Sequence, residues 1–202
     1  MKDQSNKANQ KIAIVGMAVR GSRVASLEEF WHYIETGKDT LSCFTSKKLR
    51  DFGVDRKTLL DTRFVPSAAQ VEDLDRLDAN FFGLSGFEAE RTAPAQRLFL
   101  ECCFEALEHA NIVPGKGDQK IGIYAGVESD YLDRQLKHLK ESDALQLHLG
   151  NSVDFVSTRV SHKLDIHGPS MSVMAACATS LMAVHLGVQS LRNGEADVVL
   201  AG

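Results

Sequence analysis

Two short apolar stretches constrain this chain most: Lys120–Val127 (KIGIYAGV) and Asp197–Gly202 (DVVLAG). Neither alternates polar with apolar residues, so a strand formed from either must be covered on both faces. Helical patterns lie between them. Strand, helix and strand in that order predict βαβ units and a largely parallel, buried sheet with covering helices, an α/β fold. With 44% hydrophobic residues among 202, the chain can build the core such a sheet needs.

Local signals place the other elements. Ile12 to Val19 is an apolar, β-branched run and predicts a buried strand. Ser26-Leu27-Glu28-Glu29 is a capping-box pattern that opens a helix from Leu27 to about Thr36, which Gly37 can stop. The charged segment from about Asp39 to Leu77 has no clean period and predicts irregular structure. Pro94 suits the first turn of a helix running to about Ala110, with Asn111 and Pro114 marking its end. Ala144 to about Leu164 reads as helical or mixed, interrupted at Gly150. Met171–Ala176 reads as extended, and Ala178 to about Arg192 as a helix closed by Asn193-Gly194. On that helix Leu181, Val184, Val188 and Leu191 share a face, which predicts the buried side. Residues 1–10 are polar and predict a disordered leader to a domain spanning 11–202.

Composition excludes several functions. The net charge of −4 and the interleaving of Lys47, Lys48, Lys137 and Lys140 with acids argue against a nucleic-acid surface. No stretch reaches the roughly 18 apolar residues of a membrane span. Cys43, Cys102, Cys103 and Cys177 form no CxxC pair and no zinc-ligand spacing with histidine, so no metal or disulfide framework is expected. A polar start without a signal-peptide core and the absence of a disulfide pattern predict a cytoplasmic protein.

The segment Gly168-Pro169-Ser170-Met171-Ser172-Val173-Met174-Ala175-Ala176-Cys177-Ala178-Thr179-Ser180-Leu181 carries the candidate chemistry. It reads as a strand, a tight turn through small residues, and a helix with Cys177 at its start. That is the geometry of a nucleophile elbow, and a helix start favours thiolate over thiol. Read from these residues alone, Cys177 is either such a nucleophile or a small packing residue, as free cysteines commonly are.

The order of several motifs bears on that choice through the family it resembles. Ile14–Ala18, Phe30-Trp31 with Gly37, Leu77–Ser85 (LDANFFGLS), Ala95–Glu101 leading to Glu105–Glu108, Gly126 with Asp130-Tyr131, Arg159-Val160-Ser161, Gly168–Ser170, Ala176-Cys177 and Ser180–Leu186 follow one another, continuing through Gln189–Arg192 to Leu200–Gly202. Together they resemble the N-terminal half of a β-ketoacyl synthase of the polyketide or fatty-acid type, a thiolase-like fold. Three places depart from the family pattern: Met174-Ala175 stands for Asp-Thr, Ala178-Thr179 for Ser-Ser, and Thr92–Ala95 for "MDPQ".

The resemblance implies that Cys177 accepts an acyl chain from the phosphopantetheine thioester of an acyl carrier protein. A malonyl-type thioester then decarboxylates and attacks that acyl group, and the backbone N–H at Cys177 serves the oxyanion hole. No bound cofactor is implied, and the complete family domain forms homodimers. The two family histidines stand in glycine-rich motifs after the nucleophile. None of His32, His109, His138, His148, His162, His167 and His185 stands in such a motif. His185 lies two turns beyond Cys177 and reads as a packing residue; His162 and His167 read as surface or structural. The chain is therefore expected to be a truncated domain that lacks condensing activity alone. Two alternatives are a non-catalytic module that folds against a partner half, and a cysteine acyl-hydrolase.

Overall fold

The computed structural model describes residues 11–128 and 143–202. The expected leader, Asp130-Tyr131 and His138 lie outside the described residues. The chain divides into two compact units, Val19–Leu74 and the segment up to Ala18 with Asp75–Gly202.

In the smaller unit, helix α1 (Leu27–Thr36) begins at the predicted capping box. Ser26 Oγ accepts the Glu29 N–H at 3.2 Å, and the Glu29 carboxylate reaches back to the Ala25 N–H at 2.8 Å. Gly37 ends the helix at φ 60°, a left-handed conformation that costs glycine little. The stretch expected to be irregular holds β1 (Ser42–Cys43), two short helices, α2 (Ser46–Asp51) and α3 (Arg56–Leu60), and β2 (Ser67–Ala68). β1 pairs antiparallel with β2. Asp55 caps α3, accepting the Thr58 N–H at 2.9 Å and the Thr58 hydroxyl at 2.7 Å. These bonds hold its carboxyl below the usual carboxylate value.

The larger unit continues with α4 (Gly86–Arg91) and α5 (Pro94–His109). Pro94 sits in the first turn of α5, and Asn111 adopts φ 56° just past its end. Then come β3 (Ile121–Ala125), α6 (Ala144–Asn151), α7 (Val156–Lys163), β4 (Ser170–Ser172), α8 (Thr179–Asn193) and β5 (Val198–Ala201). The sheet order is β4-β3-β5 and both pairings are parallel, with Ile123 opposite Ser170 on one side and Leu200 on the other.

All five residues of β3 are buried, as its unbroken apolar pattern requires. Alternation along the strand divides the core. Ile121, Ile123 and Ala125 pack with Leu100 and Leu107 of α5 and Val156 and Val160 of α7. Tyr124 packs with Ala183 of α8. Helices therefore cover both faces of a parallel sheet. A polar network ties α4, α5 and α7 together: Arg159 donates to Gln96 Oε1 at 3.0 Å, and Glu88 lies 3.6 Å from Arg159 and 3.3 Å from Lys163. Burial lowers the affinity of the Arg159 guanidinium for its proton, opposed by the Glu88 charge.

Two expectations are corrected. Ile12–Val19 forms no strand, and Ile14 is 82% exposed. The segment runs past the last turns of α5, where the Met17 main chain meets His109 Nδ1 at 3.1 Å and Gly16 leaves no room for a side chain beside the Ala106 carbonyl. β-branched residues supply propensity, but a strand needs a ladder partner, and no strand among the described residues pairs with this one. The second correction concerns the break after α6, which falls at Ser152 rather than Gly150. Gly150 stays helical, and a Cβ there would overlap the Arg91 carbonyl, so its smallness serves packing, not termination.

Two measurements check this architecture. A Cβ on Gly168 would overlap the Ile121 carbonyl across the β3–β4 edge. Gly168→Ala is expected to destabilise the chain by about 1–3 kcal/mol in denaturant titration. The lowered carboxyl value of Asp55 means that the fold favours its ionised form. Its stabilising contribution is present above the ordinary aspartate range and is lost as pH falls through the lowered value. The Thr58 amide resonance should follow that titration, and Asp55→Asn should abolish the shift.

Candidate nucleophile site

Cys177 stands where β4 leaves the sheet. The strand's backbone pairing continues through Val173, whose N–H donates to the Ala125 carbonyl at 2.7 Å. The chain then turns through Met174 and Ala175 into a 3-10 turn, Ala176–Ala178, which leads directly into α8. Cys177 is exposed. The site lies at the carboxyl ends of parallel strands, where open α/β sheets commonly place their chemistry.

The turn is strained at one residue. Ala176 adopts φ 48°, a conformation that costs a non-glycine residue about 1–2 kcal/mol. Alanine has no polar side chain to stabilise it. The stabilisation comes from Thr179, whose Oγ1 accepts the Ala175 N–H at 3.0 Å and donates to the Ala176 carbonyl at 2.8 Å. The Ala178 N–H closes the turn onto the Ala175 carbonyl at 3.0 Å. The Thr179 methyl lies over Gly126, where a Cβ would overlap both that methyl and the Val173 carbonyl. Among the described residues, the Cys177 N–H has no hydrogen-bond partner.

α8 does not bury the face predicted for it. Its buried residues are Ala183, Gly187 and Ser190, whereas Leu181 is 77% and Val184 46% exposed. Val188 and Leu191 are partly buried. The reason is close approach to the sheet: a Cβ on Gly187 would lie 2.6 Å from Val199 Cγ1. A stripe of small residues lets the helix axis come close, and the larger apolar residues face away. His185, read as a packing residue, is exposed.

No described histidine is hydrogen-bonded to Cys177. His109 contacts Met17, His32 lies 3.4 Å from Lys38, His148 stands edge-on to Phe155, and His167 lies 3.3 Å from Asp165. His162 and His167 are exposed, in agreement with a surface placement. Among the described residues, no three of His, Cys, Asp and Glu converge as a metal site, and no helix is long and apolar enough to cross a membrane. Cys103, by contrast with Cys177, is buried on the core face of α5, and burial pushes its thiol value up. Sequence reading located Cys177 but missed Thr179 and Gly126 as its supports; the signal was a hydroxyl two residues past the cysteine in an otherwise small turn.

Solved ketosynthases share this architecture. Ketosynthase twelve of the bacillaene polyketide synthase from Bacillus amyloliquefaciens superimposes with a TM-score of 0.80 at 28% identity, over 91% of this chain and 33% of that one. The module 1 ketosynthase of the bacillaene synthase from the FZB42 strain gives 0.78 at 29% identity, over 94% of this chain and 34% of that one. The fold is thus thiolase-like. The description "Beta-ketoacyl synthase, N-terminal domain" matches residues 9–202. The chain belongs to the β-ketoacyl synthase family. A phenolphthiocerol/phthiocerol polyketide synthase polypeptide of Mycobacterium tuberculosis is 39% identical over 95% of this chain, which spans 14% of that protein's length. Pikromycin polyketide synthase component PikAII of Streptomyces venezuelae is 38% identical over the whole chain, which spans 6% of its length.

Native alkylation separates the cysteines. Iodoacetamide is expected to label exposed Cys177 and Cys43 in the folded chain, and Cys103 only after denaturation, as read by peptide mass. Labelling of Cys103 ahead of Cys177 would contradict the placement of both.

Proposed function

We propose that Cys177 is the acyl-accepting nucleophile of a decarboxylative condensing enzyme. The observation that carries this is an exposed cysteine on a strained turn at the carboxyl end of β4, immediately before α8. The Cys177 thiolate attacks the thioester carbonyl of an acyl chain held on the phosphopantetheine of an acyl carrier protein. The carbonyl π electrons move onto oxygen, and the unpartnered Cys177 N–H donates to that oxyanion. Collapse breaks the carrier's C–S bond, the carrier thiol leaves, and the acyl group remains on Cys177. A malonyl-type thioester then loses CO2, and its carbanion attacks the acyl carbonyl, forming a C–C bond and returning the Cys177 thiolate.

The second half-reaction needs groups that assist decarboxylation, and the resemblance assigns these to histidines in glycine-rich motifs, in which none of this chain's histidines stands. The chain's own described histidines offer no base at Cys177. We therefore assign these 202 residues the acyl-accepting part of the site, with homodimerisation belonging to the complete domain.

The test is intact-mass analysis after incubation with an acyl-phosphopantetheine thioester. One acyl group is expected on the chain, absent in Cys177→Ala, with no turnover. Continuous thioester hydrolysis would favour an acyl-hydrolase instead. A folded chain that takes up no acyl group would favour a non-catalytic module.

A further inference from the structure

We propose that Thr179 is a positioning residue that orients and polarises the peptide donating to the oxyanion; this rests on the reading of Cys177 as the acyl acceptor. The peptide between Ala176 and Cys177 is one rigid plane. Its carbonyl is the group that accepts the Thr179 hydroxyl at 2.8 Å, and its N–H is the unpartnered donor of Cys177. In a trans peptide these two bonds point in opposite directions, so fixing the carbonyl aims the N–H. None of the described peptide bonds is cis.

The geometry holds Thr179 from three sides. Its hydroxyl is used twice, accepting from Ala175 and donating to Ala176, so it bridges the strained residue at φ 48°. Its methyl sits over Gly126, at the end of β3, where no other residue type fits. Its backbone is the first residue of α8, which the small stripe seats on the sheet. A β-branched side chain has few rotamers to lose under such restraint. The hydroxyl bond to the carbonyl also draws electron density from the peptide, making its N–H a stronger donor. Thr179 touches no reacting atom; it acts through the Ala176–Cys177 peptide.

Two reactions of Cys177 distinguish this role from general support of the fold. Thioester acylation passes through an oxyanion, whereas alkylation by iodoacetamide, a displacement at carbon bearing iodide, does not. Thr179→Val keeps the shape, the methyl over Gly126 and the main-chain bond from the Thr179 N–H to the Ala176 carbonyl, but removes both side-chain hydrogen bonds; Thr179→Ser keeps all of these hydrogen bonds. In the full chain, Thr179→Val is expected to slow acylation by about tenfold to a hundredfold while alkylation changes by less than about threefold. Thr179→Ser is expected to restore acylation to within about threefold of the unmodified chain. An equal fall in both reactions, or no fall in acylation, overturns the proposal. If the unmodified chain takes no acyl group but alkylates, the assignment of Cys177 fails, and this inference with it. If it acylates and Thr179→Val matches it, this inference fails alone. Should Thr179→Val not fold, hydrogen exchange at the Ala175 amide of the unmodified chain decides: protection is expected, and free exchange overturns the proposal.

Discussion

The burial of β3 on both faces and its pairing on both edges set the position of everything near Cys177. A strand surrounded this way has no water to satisfy its backbone, so each N–H and C=O must find a neighbouring chain. β4 and β5 supply those partners in parallel register. The pairing persists to the strand ends, where Val173 donates to Ala125 at 2.7 Å, Gly126 donates to Gly202 at 3.0 Å and Gly202 donates to Tyr124 at 3.1 Å. The three carboxyl ends are thereby tied to one another directly beneath the turn that carries the cysteine.

That rigidity lets the turn hold a residue in an unfavourable conformation. A flexible support would relax Ala176 out of φ 48°, because the strain is comparable to one or two hydrogen bonds. The seat of α8 adds to the restraint. By burying Ala183, Gly187 and Ser190 instead of its larger residues, the helix exchanges apolar burial for proximity. Proximity is what brings Thr179 within reach of both sides of the turn. The same exchange leaves Leu181 and Val184 facing away from the sheet.

What was legible in the sequence follows from how locally each feature is determined. The capping box at Ser26, Pro94 at a helix start and Gly194 at φ 74° after α8 are signals within one helical turn, and each appears where the residues place it. β3 and β5 were legible because an apolar run without alternation has few ways to fold, whereas of Met171–Ala176, expected to be extended, only Met171-Ser172 lies in β4 and Ala176 already belongs to a 3-10 turn. The buried face of α8 was not legible: the helix has two faces able to pack, and hydrophobicity ranks Leu181 and Val184 above Ala183 and Gly187, whereas the sheet selects for size. Ile12–Val19 misled for a related reason, since residue type reports propensity and not the presence of a neighbour. The Thr179–Gly126 contact joins segments far apart in the chain, and nothing local announces it.

The contrast between Cys103 and Cys177 shows how the fold, rather than the residue type, separates two thiols. Cys103 lies within α5 among Leu100, Leu107 and the residues of β3, and the loss of water there penalises its charged form. It is held as a neutral packing group. Cys177 stands outside the core on a turn that the core makes rigid. The apolar interior acts on the two thiols in opposite ways: it encloses one and leaves the other exposed on a turn that it braces. The substitution of Ala178-Thr179 for the common Ser-Ser pair keeps a hydroxyl at the second of those positions, and that is the position whose oxygen reaches the Ala176 carbonyl. The departure from the family pattern thus falls around the bracing hydroxyl and leaves it in place.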